Sequence, residues 1–354
     1  MIWPLTRRSK SVLGIDIGTS VIKIVELLKQ GEQEKLINYG FASVGLSNKR
    51  FPKKLTKDTL LLSATETAEI IKAILKTAGI KSQRVVFSIP DFTTFFTTFH
   101  LPAMSEEEIT QAVQFEARRH VPLPLQEVTL DWSVTKGAVS SKRGDELEIL
   151  LVVVPNETIK QYEIIVELCK FELLALEAEV FGLQRALTRG INRTVALIDI
   201  GAQSTTCSVV DRNVLKVSYS FDVAGNALTE RLSKSLDIDY KAAILLKKEQ
   251  GLLAVKQNVR EILTPMFDLM LTEIQKATQS FYQQEGKEIQ TYIIAGASSL
   301  LPGLQDYFSS VLKKEIKMAN PFANIVYPPI LEGTLKDIGP GFSVAVGMAL
   351  KGLE

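Results

Sequence analysis

Short apolar runs, read as strands, alternate along the chain with longer stretches whose apolar residues recur at helical spacing. Two of the short runs repeat one another. Val12 to Ser20 reads V-L-G-I-D-I-G-T-S, and Ala196 to Ser204 reads A-L-I-D-I-G-A-Q-S. Each passes through Asp-Ile-Gly and small polar residues into a second run, Val21–Leu27 or Thr206–Val210. The pattern predicts two β-hairpins, each with a glycine in its tight turn and a carboxylate at the end of the incoming strand. Glycine lets the backbone approach a phosphate, and the turn's N–H groups form an anion nest. A carboxylate repels phosphate, so Asp16 and Asp199 fit the holding of a hydrated divalent cation. Two such hairpins predict two similar lobes clamping one polyphosphate.

Between them, residues 35–44 alternate as a third strand. Apolar spacing at Ala68, Ile71, Ile74 and Leu75 predicts a helix over 65–78, capped by Gly79. Residues 84–90 follow as a buried strand. The stretch 91–170 reads as an inserted β-α-β-β-α module. Its first helix opens at the capping box Ser105–Glu108, runs to His120 and is broken by Val121-Pro-Leu-Pro. Strands are expected over 127–135 and 146–154, and a second helix over 156–170. After the second hairpin, Gly225-Asn226 opens a helix, and a long helical region from Asp239 to Tyr282 is divided at Pro265. T-Y-I-I-A-G-A-S-S-L-L-P-G-L reads as strand, glycine turn and helix start, and G-P-G-F-S-V-A-V-G-M-A-L-K as a closing small-residue helix. The expected division is 1–90, the insertion 91–170, a return over 171–193, a second lobe over 194–332 and a terminal segment over 333–354 packing back on the first.

The 354 residues exceed the usual single-domain size, and a net charge of +1 offers no bulk attraction for nucleic acid. The longest apolar stretch, 147–154, contains Glu148 and is too short to span a bilayer. Met1 to Lys10 lacks a signal-peptide apolar core, so a cytoplasmic protein is expected. Cys169 and Cys207 fit no metal spacing and read as reduced core thiols, and two histidines cannot build a histidine metal site. The basic run 48–58 reads as a solvated loop, with a contact to anionic lipid, assisted by Trp3, Arg7 and Arg8, as the alternative.

Strand–D-I-G–strand twice, then strand–A-G-A-S–helix, resembles the two phosphate motifs and the adenosine motif of the actin-like ATPase superfamily. Within it, G-I-D-I-G-T-S-V-I-K-I-V-E-L, L-P-A-M-S-E-E-E-I, V-P-L-P-L-Q-E-V-T-L-D-W and E-A-E-V-F-G-L-Q-R-A are similar to the type IV pilus assembly PilM family. The resemblance implies an α/β fold of two ribonuclease-H-like lobes with an FtsA/PilM-type inserted subdomain. It also implies ATP or ADP with Mg²⁺ in the cleft. The implied role is a scaffold recruited to the cytoplasmic face of the inner membrane by the N-terminal tail of a PilN-like bitopic protein. A motor ATPase, a platform protein and self-association belong to the same expectation; the membrane is reached only indirectly.

Residue by residue, Gly18, Thr19 and Ser20 form the first phosphate loop and Gly201, Ala202, Gln203 and Ser204 the second. Lys23 is implied to reach the phosphates, and Glu179 to orient an attacking water, with Glu177 as its substitute. Gly225 and Asn226 approach the nucleotide at a helix start, and Gly296, Ala297 and Ser298 flank the adenine. Two departures concern adenosine. Ile244 stands where the family often has a ribose-gripping glutamate, leaving Lys247, and Ala297 replaces a usual second glycine. Losing a charged hydrogen bond costs about 1.5–3 kcal/mol, roughly ten- to a hundredfold in affinity. The expectation is retained nucleotide binding with slow or absent hydrolysis. Alternatives are an FtsA-like filament former, a degenerate scaffold without turnover, and a small-molecule kinase, for which the sequence shows no acceptor pocket.

Overall fold

The computed structural model describes residues 11–44, 62–137, 146–253 and 257–354. The basic run 48–58, Trp3, Arg7 and Arg8 lie outside these residues. In chain order the elements are β1 (Val12–Ile17), β2 (Val21–Gln30), β3 (Gln33–Ser43), α1 (Ala64–Ala78), β4 (Arg84–Ile89), β5 (Phe95–Pro102), α2 (Glu106–His120), β6 (Val128–Lys136), β7 (Glu146–Pro155), α3 (Asn156–Cys169), β8 (Glu172–Ala178) and α4 (Glu179–Leu187). They continue as β9 (Thr194–Ile200), β10 (Thr205–Asp211), β11 (Val214–Phe221), α5 (Gly225–Leu236), α6 (Tyr240–Gln250), α7 (Gln257–Glu285), β12 (Thr291–Ala295), α8 (Leu304–Leu312), β13 (Glu315–Met318), β14 (Ile325–Val326) and α9 (Glu332–Lys351).

Three sheets result. The first lobe is a six-stranded sheet ordered β14-β3-β2-β1-β4-β8, and the second a five-stranded sheet ordered β11-β10-β9-β12-β13. Both grow from an antiparallel hairpin, β1–β2 or β9–β10, whose first strand also pairs in parallel with a later strand, β4 or β12. That shared plan follows from the repeated phrase: the incoming strands are buried on both faces, as central strands of a covered sheet must be. The third sheet, β5-β7-β6, carries α2 on one face as a small module. Its helix α2 starts at the Ser105–Glu108 capping box, as α1 does at Ser63–Glu66.

Four local differences from the sequence reading have physical causes. Helix α3 does not join the small module's core; Tyr162 and Ile165 pack with α1 against the first sheet, and Tyr162 donates to the Ser88 carbonyl. Pro265 does not divide the long helical region, because α7 runs through it. The helical run stops earlier, at Gly251, where φ is +49° and the next N–H, that of Leu252, turns to the Pro302 carbonyl. After β12 the chain makes a short 3-10 turn, Ala297–Leu300, and α8 starts only after Pro302-Gly303. Finally, α9 begins at Glu332 and includes Pro340, while β14 has already rejoined the first sheet beside β3.

Helices α4 and α9 cross in contact between the lobes. A methyl at Gly347 would lie 1.9 Å from the Gly182 carbonyl oxygen, and one at Gly14 would lie 2.0 Å from that of Ala345. Only glycine permits these approaches. The crossing carries Val180, Leu183, Val344 and Met348 into a core shared with Leu197 and Ile293 of the second sheet.

Candidate functional site

The two hairpin turns face one another across a cleft whose walls come from both lobes. Gly18, Thr19, Ser20 and Lys23 line one side, and Gly201, Ala202, Gln203 and Ser204 the other. Gly296, Ala297 and Ser298 close one end with Pro340, Gly341 and Ser343 of α9. The cleft is open to solvent and holds a cavity of about 110 Å³. Neither turn glycine is held in a left-handed conformation. Each is glycine because a methyl would sit 2.8 Å from a carbonyl oxygen three residues on, that of Val21 or Ser204. The Gly201 N–H is bonded inside its own turn, to Ser204 O at 3.0 Å.

Hairpin register sets the charges. Asp16 lies opposite Lys23, and Asp199 lies opposite Thr206, so the two turns share geometry but only the first pairs its acid with a base. Lys23 Nζ meets Asp16 Oδ2 at 2.7 Å, and Ser88 Oγ donates to the other oxygen at 3.2 Å. Burial alone would lower the Lys23 pKa, but Asp16, aided by Asp199 and Glu179, holds it above the ordinary value. Asp199, driven by burial, is pushed up to about 6, with Lys23 opposing and Asp16 adding to the rise.

Glu179 is the first residue of α4 and lines the cleft. Its Oε2 accepts from the Asp91 N–H at 3.1 Å, while Asp91 Oδ1 accepts from the Val180 N–H at 3.2 Å. Each carboxyl thus accepts a backbone N–H from the segment that carries the other. Burial, then repulsion from Asp16, Asp91 and Asp199, raises the Glu179 pKa well above the carboxylate range. Asp91 is pushed up to about 8 by burial, against the Val180 hydrogen bond. The sequence reading did not single out Asp91. Its signal was an acid directly after a buried strand ending in Pro90, the same strand-end position that marked Asp16 and Asp199.

Glu177, the substitute for Glu179, does not line the cleft. It forms a two-pronged pair with Arg185 at 2.7 and 2.8 Å, and Arg185 also reaches Glu354. Gly225, Asn226 and Lys247 stand one layer behind the second turn. The Gly225 and Asn226 N–H groups donate to the Gly201 and Ala202 carbonyls, and Ser298 Oγ also donates to Gly201 O. Lys247 Nζ bonds Gly225 O and Thr229 Oγ1, and burial among neutral partners lowers its pKa to about 8. These residues brace the second turn. Ile244 leaves no carboxylate at its position for a ribose, and Ala297 packs on Gly341, with contacts of 3.6 Å to a methyl placed there.

The site therefore gathers three carboxyls, from Asp16, Glu179 and Asp199, around Lys23, with a fourth, Asp91, beside Glu179. No group of three acid, histidine or cysteine side chains among the described residues converges tightly enough to hold a metal directly. Hard oxygen donors spaced in this way suit a divalent cation that keeps its own waters, as Mg²⁺ does.

A family model described as type IV pilus assembly protein PilM matches residues 14–353. The solved structure of a PilM-PilN type IV pilus biogenesis complex superposes with a TM-score of 0.86 at 23% identity, covering 97% of this chain and 98% of that one. Ethanolamine utilization protein EutJ from Carboxydothermus hydrogenoformans gives 0.58 at 14% identity, over 99% and 92% of the two chains. MreB5 of Spiroplasma citri bound to AMPPNP gives 0.56 at 12% identity, over 98% and 96%. With the fold these structures share and the family match across nearly its whole length, the chain is a member of the type IV pilus assembly protein PilM family, built on the actin-like ATPase fold.

Proposed function

We propose that this chain is a nucleotide-binding scaffold of the type IV pilus inner-membrane assembly complex. It takes ATP or ADP with Mg²⁺ between its lobes and docks the cytoplasmic N-terminal tail of a PilN-like bitopic protein. The observation that carries the nucleotide half is the facing of two glycine turns, each ending a strand in an aspartate, with Lys23 between them. Lys23 supplies the positive charge a polyphosphate needs, and Gly296 to Ser298 supply a small-residue edge for a base. Asp16 and Asp199 would hold the cation's waters. When bound, the cation neutralises phosphate charge.

Turnover is slow or absent in this reading. Glu179 already accepts from the Asp91 N–H, and burial with the neighbouring acids favours its protonated form over the carboxylate that would take up a proton from water. Ile244 weakens the grip on ribose. The kinship with the PilM-PilN complex supports the partner. No helix among the described residues is long and apolar enough to cross a membrane; in this reading the chain reaches the inner membrane by capture of such a tail.

Calorimetric titration of ATP–Mg²⁺ into the protein and into Asp199→Ala tests the first half, and a tail peptide titrated with and without nucleotide tests the second. Binding that is lost in the variant supports the cleft. No heat with the wild type, or no peptide binding in either state, ends the corresponding half of the reading.

A further inference from the structure

The polar side chains lining the cleft fall into two groups. At the two turns, the side chains of Thr19, Ser20, Gln203 and Ser204 make no hydrogen bond to another described residue, and all four are partly exposed. They offer three hydroxyls and an amide, each able to donate to an oxygen. The charged groups that line the cleft, Asp16, Lys23, Glu179 and Asp199, stand at this end too.

At the other end the side-chain donors are already spent on the protein. Ser298 Oγ donates to Gly201 O at 3.1 Å, and it lies so close to α5 that a methyl at Gly225 would be 2.4 Å from it. Ser343 Oγ donates to Pro340 O at 3.0 Å, and the Gly296 N–H goes to the same carbonyl at 2.9 Å. One layer back, Lys247 Nζ is held by Gly225 O and Thr229 Oγ1, and Asn226 Oδ1 accepts from the Tyr240 hydroxyl at 3.3 Å. Neither Lys247 nor Asn226 lines the cleft. What this end presents is backbone, Gly296, Pro340, Gly341 and the exposed methyl of Ala297.

The contrast has a chemical consequence. A site that selects a base or a ribose sets buried polar groups against it, and then rejects an analogue lacking the matching group by roughly 10⁴–10⁵-fold. A phosphate chain asks instead for N–H and O–H donors, positive charge and close approach of the backbone. The turns supply all three. The small-residue end gives a base or sugar a surface to lie on, where one neutral hydrogen bond more or less is worth roughly two- to tenfold.

We propose that the cleft selects its ligand as a Mg²⁺-bound polyphosphate and reads neither base nor ribose. It accepts nucleoside triphosphates without regard to the nucleoside, and inorganic tripolyphosphate with them. This rests on the nucleotide reading above and adds to it the part of the ligand that is recognised.

Calorimetric titration of the full chain with the Mg²⁺ complexes of ATP, GTP, CTP, 2′-deoxy-ATP and tripolyphosphate provides the test, with AMP as the ligand that lacks the chain. The nucleoside triphosphates should agree within about tenfold, and tripolyphosphate should displace ATP. AMP should bind roughly a hundredfold more weakly than ATP or not at all. Gln203→Ala, at an exposed turn, should weaken ATP and tripolyphosphate by one common factor, roughly two- to tenfold. ATP that outbinds GTP, CTP or 2′-deoxy-ATP by more than about tenfold overturns the proposal. So does AMP that binds as well as ATP, tripolyphosphate that fails to displace ATP, or a Gln203→Ala loss confined to ATP. If no ligand gives heat, the nucleotide reading fails and takes this selectivity with it. ATP bound to the exclusion of the others ends only the indifference to the nucleoside.

Discussion

Replacing Gly347 by alanine tests whether the α4–α9 crossing sets the geometry of the cleft. The added methyl would lie 1.9 Å from Gly182 O, 2.3 Å from its carbonyl carbon and 2.6 Å from its Cα. All three atoms are backbone of another helix, so no side-chain rotation relieves the clash. A carbon–oxygen contact needs more than 3 Å, so the helices must part by over 1 Å. Separation loosens Val180, Leu183, Val344 and Met348 together, and overpacking of this kind costs about 1–3 kcal/mol, with a rigid target at the upper end. Because Glu179 begins α4, the same movement shifts it from the Asp91 N–H. Gly333→Ala is the control: it lies on the same helix with open space around it, so alanine should be neutral or stabilise by about 0.5 kcal/mol. Chemical denaturation of both variants measures the difference, and calorimetry with ATP–Mg²⁺ follows the cleft. If Gly347→Ala unfolds within 0.5 kcal/mol of the parent, the crossing is not a close-packed pivot and the reasoning fails.

Three further outcomes follow from the site and its supports. Asp91 has a folded pKa near 8, above the ordinary 3.9 of an unfolded chain, so the folded state holds the extra proton and stability falls as pH rises through that window. From pH 6 to 8.5 the parent should lose about 2 kcal/mol relative to Asp91→Asn, and parallel denaturation curves for the two proteins would refute this. Lys23→Met removes the cation paired with Asp16 at 2.7 Å, and should weaken ATP–Mg²⁺ binding roughly ten- to a hundredfold by titration; an unchanged affinity would place the phosphates elsewhere. Arg185→Met breaks the two-pronged bond to Glu177 and the bond to Glu354, and should cost about 3 kcal/mol in unfolding, with Arg185→Lys recovering only part because lysine lacks the planar fork.

What the sequence made legible was local. A strand, a turn too tight for any side chain and a returning strand are specified within a dozen residues, so both hairpins, the caps at Gly79 and Ser105 and the break after His120 could be read directly. The asymmetry of the two turns was legible as well. Lys23 and Thr206 each stand seven residues after their aspartate, and the antiparallel register brings each opposite it. The illegible part was what distant elements do to one another. Pro265 invited a break, yet α7 runs through it with Leu263, Phe267 and Met270 buried in the second lobe's core, and the chain turned instead at Gly251, where the Pro302 carbonyl receives the Leu252 N–H. Glu177 and Glu179 look alike in sequence, but strand alternation ends between them. Glu177 lies on β8 and is drawn to Arg185, while Glu179 begins α4 and points its acid at the cleft.

Asp91 shows why that boundary matters chemically. Its partner Glu179 is 88 residues away in the chain, and neither residue's surroundings predict the other. Each accepts a backbone N–H from the other's segment, and together they put two raised pKa values beside the strand-end aspartates. A cleft so loaded is over-supplied with acid for one lysine. It relieves the excess through the raised proton affinity of Glu179 and Asp91, or by taking up a cation with its waters between Asp16 and Asp199. These remedies compete, because a cation lowers the pKa of every acid near it. Cation uptake should therefore release protons, and the number released in buffers of different ionisation heat distinguishes a cleft that loads Mg²⁺ from one that merely stays protonated. Mg²⁺–nucleotide binding without proton release would show that the four carboxyls do not share one field.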